Sequence, residues 1–312
     1  MRGWWQDLTD LVLPAECGGC GRPRTVLCQE CRAALSGAAP RRVRPVPEPP
    51  GLPVVHAAAR YADEVRAVLL AHKERGALAL AGPLGAALAG AVRAGLDEIR
   101  VRAGLDEGRV RAEGGWFGGG AAPVLLVPVP SARGAVRARG HDPARRIALA
   151  AAGELRRTGT AARVVSVLRQ RRFVADQSGL DFRQRLENLA DALAVTPGGA
   201  RLLVDGPVVL VDDLMTTGAS LAEAARAVRA AVQKRRAAGE QTAWPVSYRT
   251  ARAAVYTGAG WECRGEQRAG TTEEQPGRGP AGPGMAGTGC VGEVIGAAVV
   301  AASPDSFENN WN

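Results

Sequence analysis

The stretch Val208-Val209-Leu210-Val211-Asp212-Asp213-Leu214-Met215-Thr216-Thr217-Gly218-Ala219-Ser220 decides the fold class. Its first four residues form a short apolar, mostly β-branched run that suits the centre of a parallel sheet. Two carboxylates close the run and a hydroxyl-rich turn follows. The chain then continues as a helix through Leu221-Ala222-Glu223-Ala224-Ala225-Arg226. Thr216, Thr217 and Ser220 are expected to cap that helix. A helix start with free N–H groups and hydroxyls is an anion site, and phosphate is the usual anion. Asp212 and Asp213, just before it, can accept hydrogen bonds from sugar hydroxyls or hold Mg²⁺ through water. Phosphate, sugar hydroxyls and Mg²⁺ at this spacing point to a phosphorylated ribose. The competing reading is a plain capped junction with two surface aspartates. A P-loop kinase is disfavoured, since no G-x-x-x-x-G-K-[ST] occurs and Lys73 and Lys234 are the only lysines.

This segment closely resembles the phosphoribosyl-diphosphate (PRPP) motif of type I phosphoribosyltransferases. The resemblance implies that the carboxylate pair binds the ribose 2′- and 3′-hydroxyls and that the TTG turn binds the 5′-phosphate.

With 312 residues the chain can build one large or two modest domains around a real core. Hydrophobic residues make up 46% and aromatics only 4%, so the core is expected to be made of Ala, Leu and Val. The formal net charge of +9 invites a polyanion partner. Nearly all of that charge is arginine in a chain rich in Ala, Gly, Arg and Pro, which compositional bias explains equally well. No run of 18 apolar residues is read as a membrane span; the longest candidate, Val294 to Ala302, is too short. The start, Met1 to Leu8, lacks the apolar core of a signal peptide. The expectation is a cytoplasmic protein without membrane insertion.

Four of six cysteines form Cys17-x-x-Cys20, seven residues, then Cys28-x-x-Cys31. Gly18, Gly19 and Gly21 allow tight knuckles. Two C-x-x-C pairs favour a tetrahedral four-sulfur site for structural Zn²⁺, closed to catalysis because no coordination position is left open. Two disulfides, or one redox pair, are the alternatives. Cys263 and Cys290 are isolated and read as free thiols.

Residues 4–13 suggest a short amphipathic helix through Trp4, Trp5, Leu8, Leu11 and Val12. Residues 1–38 are read as the four-cysteine finger and 39–53 as a proline-rich linker. The main domain is expected over 54–233. It opens with a strand from Val54 to Tyr61, a helix from Asp63 to Ala71 and an apolar helix from Ala77 to Arg93. A tandem repeat over 92–112 reads as a local duplication lengthening a surface helix or loop. A strand from Val124 to Pro130 leads into the basic loop Ser131 to Asp142, which suits pyrophosphate, and a helix from Pro143 follows. A solvated arginine cluster is the plain alternative. A strand from Arg163 to Leu168 precedes the basic stretch Arg169 to Phe173. Residues 234–292 are read as a low-complexity, disordered insert, and 293–312 as a terminal strand and tail.

The finger, the segment from Val127 to Asp142, the spacing Gln177…Leu180…Arg185…Asn188 and the opening motif stand in the order found in ComF-type proteins. Those are amidophosphoribosyltransferase-like proteins linked to DNA uptake in natural competence. The resemblance covers about residues 1–233 and the last strand; the duplication and the insert depart from it. It implies an α/β fold with a type I phosphoribosyltransferase-like parallel sheet flanked by helices, behind a small N-terminal zinc finger. It also implies these roles. Asp212 and Asp213 hold the ribose hydroxyls and Mg²⁺. Thr216, Thr217, Gly218, Ala219 and Ser220 hold the 5′-phosphate, while Ser131, Arg133, Arg137 and Arg139 lie near the pyrophosphate. Lys73 matches a basic position that reaches the same group, or is an exposed helix-end lysine. His141 is read as structural. The expected activity is pentosyl transfer from PRPP. The alternative is a silent PRPP-sensing or single-stranded-DNA-binding module, with Arg169, Arg171, Arg172 and Phe173 as a phosphate-and-stacking patch and the competence machinery as partner.

Overall fold

The computed structural model of the chain describes residues 16–102, 122–172, 181–238 and 293–308. The expected amphipathic helix at 4–13, all but the first two residues of the second copy of the duplication, Phe173, Gln177, Leu180, Cys263, Cys290 and all but the first five residues of the 234–292 segment lie outside them.

The elements are α1 (Gln29–Ser36), β1 (Arg41–Val43), β2 (Val55–Arg60), α2 (Asp63–Lys73), a 3-10 turn (Leu78–Leu80) and α3 (Ala81–Arg102). They continue with β3 (Val124–Pro128), α4 (Arg133–Arg139), α5 (Pro143–Arg157), β4 (Ala162–Val164), β5 (Leu168–Gln170), α6 (Phe182–Leu189), β6 (Leu193–Val195) and α7 (Gly199–Leu203). The last are β7 (Val208–Met215), α8 (Ala219–Ala237), β8 (Val294–Ala302) and α9 (Asp305–Glu308). Six strands form one sheet in the order β1-β2-β8-β7-β3-β4. All neighbours run parallel except β1, which pairs antiparallel with β2. This is a mixed, mostly parallel α/β sheet flanked by helices, with a four-cysteine cluster near the N-terminus.

The burial pattern follows from the residues. Val208 to Val211 are buried without a break, as a parallel strand covered on both faces demands. Successive side chains still alternate between faces. Leu126, Val209, Val211 and Val300 join the layer of α2, α3 and α5. Leu125, Val127, Leu210 and Val299 join the layer of α8. An Ala- and Gly-rich chain can pack helices very close. At Gly85 of α3 an added Cβ would lie 2.4 Å from Ala150 Cβ of α5, so only glycine permits this crossing.

Several expectations are corrected. The linker carries strand β1, with Pro40 before it and Pro45 just beyond it; a three-residue edge strand tolerates such neighbours, and periodicity cannot register so short a segment. The basic loop after β3 winds into α4, closed by Gly140 in the left-handed region at φ 75°. The strand expected over Arg163 to Leu168 splits, because Val167 N–H donates to Val165 O and turns the chain out of the sheet. Leu168–Gln170 then pairs with Leu193–Val195 in a separate two-stranded ribbon. The terminal strand joins the sheet as expected and lies inside it, between β2 and β7. α8 runs to Ala237, four residues beyond the expected end of the domain. The apolar helix expected over Ala77 to Arg93 runs on to Arg102, and Leu78–Arg102 has the length and mean hydropathy, 1.4, of a membrane span. In the fold its apolar residues, Leu84, Leu88, Ala91 and Val92 among them, are buried in the core.

Candidate functional site

The connections decide where a site can lie. From β3 the chain moves outward to β4 through α5 on one face, and from β7 it moves the other way to β8 through α8 on the other face. The strand order therefore reverses between β3 and β7. Open α/β sheets bind ligands in the crevice beyond the carboxyl ends of the strands at such a switch point. Asp212 and Asp213 end the buried run of β7 there, and Val129 to Ala132 leave β3 beside them.

Asp213 is buried and Lys73 Nζ stands 3.3 Å from its Oδ2. Lys73 is the last residue of α2 and is fed across to β7 by the helix on the same face of the sheet. It is therefore a paired lysine, not a free helix end. Asp212 folds back so that its Oδ1 accepts the Asp213 N–H at 2.8 Å. Burial, then the charge of Asp213, pushes the Asp212 carboxyl well above the usual carboxylate range, and Lys73 only partly offsets this. In turn the negative charge of Asp213, aided by Asp212, raises Lys73 against the opposing effect of burial. Two adjacent carboxylates at the end of one strand offer hard oxygen atoms of the kind that divalent cations and hydroxyl donors take.

Arg139 approaches the same group: its charge is felt at Lys73, and its Nη1 donates to Glu74 Oε1 at 2.9 Å. His141 links the two sides. Its Nε2 contacts His72 O and its Nδ1 contacts Arg139 O, each at 3.2 Å. His72 and His141 are both buried and their rings meet edge to face at 5.5 Å. Burial first, and then His141, holds the His72 imidazole below its ordinary value. The reading of His141 as structural agrees with these contacts. Ser131 is half-buried, while Arg133 and Arg137 are exposed on α4.

The turn after β7 differs from expectation in its cap. Gly218, at φ 75°, is the N-cap of α8 and no side chain caps the helix. Among the described residues no hydroxyl of Thr216, Thr217 or Ser220 caps the first-turn amides. Those N–H groups have no intrahelical acceptor by geometry. A Cβ at Gly218 would lie 3.1 Å from Leu52 and 3.3 Å from Pro45, so the proline-rich segment walls this turn. The adjoining cleft, lined by Pro50, Gly51, Leu189, Ala219, Ala222 and Arg229, runs alongside it.

Sequence reasoning missed Glu74, His72 and Glu223. Glu223 is buried in α8 and its Oε1 accepts Leu193 N–H at 2.9 Å, while Arg226 bonds to both Glu223 and Leu193 O. The Glu–Arg spacing of three along a helix was the available signal. Arg172, expected to serve a nucleic-acid patch, donates instead to Asn188 O and Ala190 O at 2.9 and 2.8 Å.

The four cysteines converge. Their sulfurs all lie within 4.8 Å of one another, with Cys20 and Cys28 3.6 Å apart, and none is in a disulfide. Tetrahedral Zn–S bonds place sulfurs about 3.8 Å apart, so the set fits a metal such as zinc. Burial opposes ionisation of the Cys17 thiol, but backbone N–H donation from Cys28, Cys20 and Gly19 wins and pulls it down to about 6. A second cavity, about 100 Å³, lies toward the opposite pole of the sheet beside His56 and Glu98 and touches none of these groups.

No protein-family model matches the chain, and no curated protein matches it.

Proposed function

We propose that the protein is a ComF-type, type I phosphoribosyltransferase-like enzyme that binds PRPP with Mg²⁺ and transfers its ribosyl group. The observation that carries this reading is the pairing of buried Asp213 with half-exposed Lys73 beside Asp212, one turn away from the start of α8. A phosphorylated ribose presents complementary groups at this spacing. Asp212 and Asp213 accept the ribose hydroxyls. The amides of Gly218, Ala219 and Ser220, with the hydroxyls of Thr216, Thr217 and Ser220, hold the 5′-phosphate. Lys73 and Arg139, with Ser131, Arg133 and Arg137 on the facing loop and helix, receive the pyrophosphate charge. Asp212 and Asp213 would hold Mg²⁺, which would supply neutralisation of the leaving pyrophosphate's charge.

In the reaction the bond from ribose C1 to the pyrophosphate oxygen breaks through an oxocarbenium-like state. The electron pair leaves with pyrophosphate, and an acceptor heteroatom bonds to C1 and gives up its proton. The protein contributes orientation and stabilisation of the leaving charge, not a covalent nucleophile. The finger is structural in this reading, and the process served is handling of incoming DNA in natural competence.

Calorimetry of PRPP with Mg²⁺ against the protein and its Asp212→Ala form tests the proposal. Micromolar binding that is lost in the variant is expected. Absence of heat with the parent protein at millimolar PRPP would sink it. Pyrophosphate release that depends on Asp213, probed with Asp213→Asn, separates an enzyme from a silent sensor. The commitment of Arg172 to backbone carbonyls weighs against the single-strand-binding alternative.

A further inference from the structure

The four-cysteine cluster and the aspartate pair are joined by one short piece of chain. Gly19 lies so close to α2 that a Cβ there would stand 3.3 Å from Val68 Cγ2 and 2.6 Å from Cys31 Sγ. Gly18 meets Leu80 in the same way, with a Cβ 2.6 Å from Leu80 Cδ1. Val68 precedes Lys73 by a turn and a half of helix, and Leu80 follows it. Between them His72 Nδ1 meets Ala77 O at 3.3 Å and closes the turn at Gly76. Cys17, Cys28 and Cys31 share one continuous core with Val68, Leu69 and Leu80. The first knuckle thus grips the segment carrying Lys73 on both sides.

We infer that the metal-loaded knuckle is the clamp that sets Lys73 against Asp213, so that losing the metal slackens the pole where the aspartates lie. An ion bonded to all four sulfurs ties the knuckle together; without it the sulfurs, within 4.8 Å of one another, rest on core packing and on the Cys28 N–H to Cys17 Sγ and Cys31 N–H to Cys28 Sγ contacts, and the knuckle loosens. The Cys17–Cys20 loop, which meets Val68 and Leu80 through bare backbone at Gly18 and Gly19, then withdraws from them. Without that floor the end of α2 keeps its polar tethers, His72–Ala77, His141–His72 O, Arg139–Glu74 and Lys73–Asp213, but loses the packing that fixes its height against β7. Val68 and Leu80 are positioning residues, since they act on the site only through Lys73.

The ligand arm of the test rests on the PRPP reading, and the structural arm does not. Full-length protein is prepared zinc-loaded and zinc-stripped, then returned to chelator-free buffer containing Mg²⁺. Amide hydrogen exchange is followed over residues 63–80, and PRPP affinity is measured by calorimetry. Stripping is expected to speed exchange over 63–80 at least tenfold more than over α8, and to weaken PRPP binding roughly tenfold. Lys73→Ala is expected to weaken binding by a similar factor and to abolish the further effect of stripping. Unchanged exchange over 63–80, or an equal loss of affinity on stripping in the Lys73→Ala background, would overturn the inference. If stripping unfolds the chain by circular dichroism, zinc-loaded Val68→Ala decides instead. Retained zinc with faster exchange at Lys73 supports the clamp, and retained zinc with unchanged exchange refutes it. If the loaded protein binds no PRPP, the functional reading fails while the exchange result still judges the clamp.

Discussion

Lys73 Nζ lies 3.3 Å from Asp213 Oδ2, a pairing between the end of α2 and the end of β7 that brings a cation to a buried carboxylate. The lysine side chain keeps about a third of its surface exposed, at 36%, so water screens much of the attraction. Its removal is therefore expected to touch stability little, by under about 1 kcal/mol. Its effect on anion binding is expected to be larger, because a pyrophosphate would meet the same ammonium. Lys73→Met should weaken PRPP binding about tenfold, or roughly 1.4 kcal/mol. Calorimetry and thermal unfolding on one sample separate the two effects. The lysine is held above its ordinary value, so its contribution is complete below that value and fades only as strongly alkaline pH removes the proton.

Asp212 is expected to be a residue whose ionisation costs stability. Its folded-state value is raised, so the folded protein holds a proton that the unfolded chain releases. Stability then falls as pH rises from the ordinary carboxylate range through the elevated value. Asp212→Asn keeps the oxygen that accepts the Asp213 N–H while removing the charge. The variant should be more stable than the parent above that window, by roughly 0.5–2 kcal/mol, and its pH dependence should flatten. Denaturant unfolding between pH 4 and 8 reads this directly. A variant less stable than the parent at pH 8 would show that the charge is compensated.

The core of the fold was legible because its signals are local and strong. Val208 to Val211 is apolar without interruption, and the switch from period 2 to period 3.6 at Gly218 marks strand, turn and helix. The cysteine spacing was equally direct, since four sulfurs have few ways to be satisfied. What escaped the sequence depends on partners far along the chain. β1 has three residues between prolines and exists only because β2 offers it an edge. The β5–β6 ribbon hangs on a Val165–Val167 turn and on Glu223, which lies in a helix read only for its cap. The caps at 216–220 were misread because threonines favour N-caps in general, while the close approach of Leu52 and Pro45 reserves the position for Gly218. Asp212 and Asp213 were visible as a pair, but the roles of Glu74 and His141 arise only when α2 meets the turn after α4.

Glu223 should prove to be the hinge pin of the β5–β6 ribbon. Glu223→Ala leaves Leu193 N–H without its buried acceptor and removes the carboxylate that Arg226 grips. An unsatisfied buried donor costs about 1–3 kcal/mol. The loss should appear as faster amide exchange over 168–170 and 193–195, with β7 and β8 unaffected. Glu223→Gln, which keeps one acceptor oxygen, should recover part of the protection. Uniform loss across the main sheet would mean that Glu223 supports the whole fold and not the ribbon.

Gly85 tests how an alanine-built core is held. α3 and α5 approach so closely there that a methyl group would meet Ala150 Cβ at 2.4 Å and Ala151 N at 2.8 Å. Backbone on the far side cannot move aside as a flexible side chain would, so the helices must separate. In a free helix Gly→Ala stabilises by about 1 kcal/mol. Here overpacking should outweigh that gain and leave Gly85→Ala destabilised, by roughly 1–3 kcal/mol. Gly82, with open space around its added Cβ, supplies the control, and Gly82→Ala should be neutral or stabilising. The opposite signs of two Gly→Ala changes three residues apart on one helix would be read in chemical denaturation. If both variants gain stability, the helices have room that this crossing denies them.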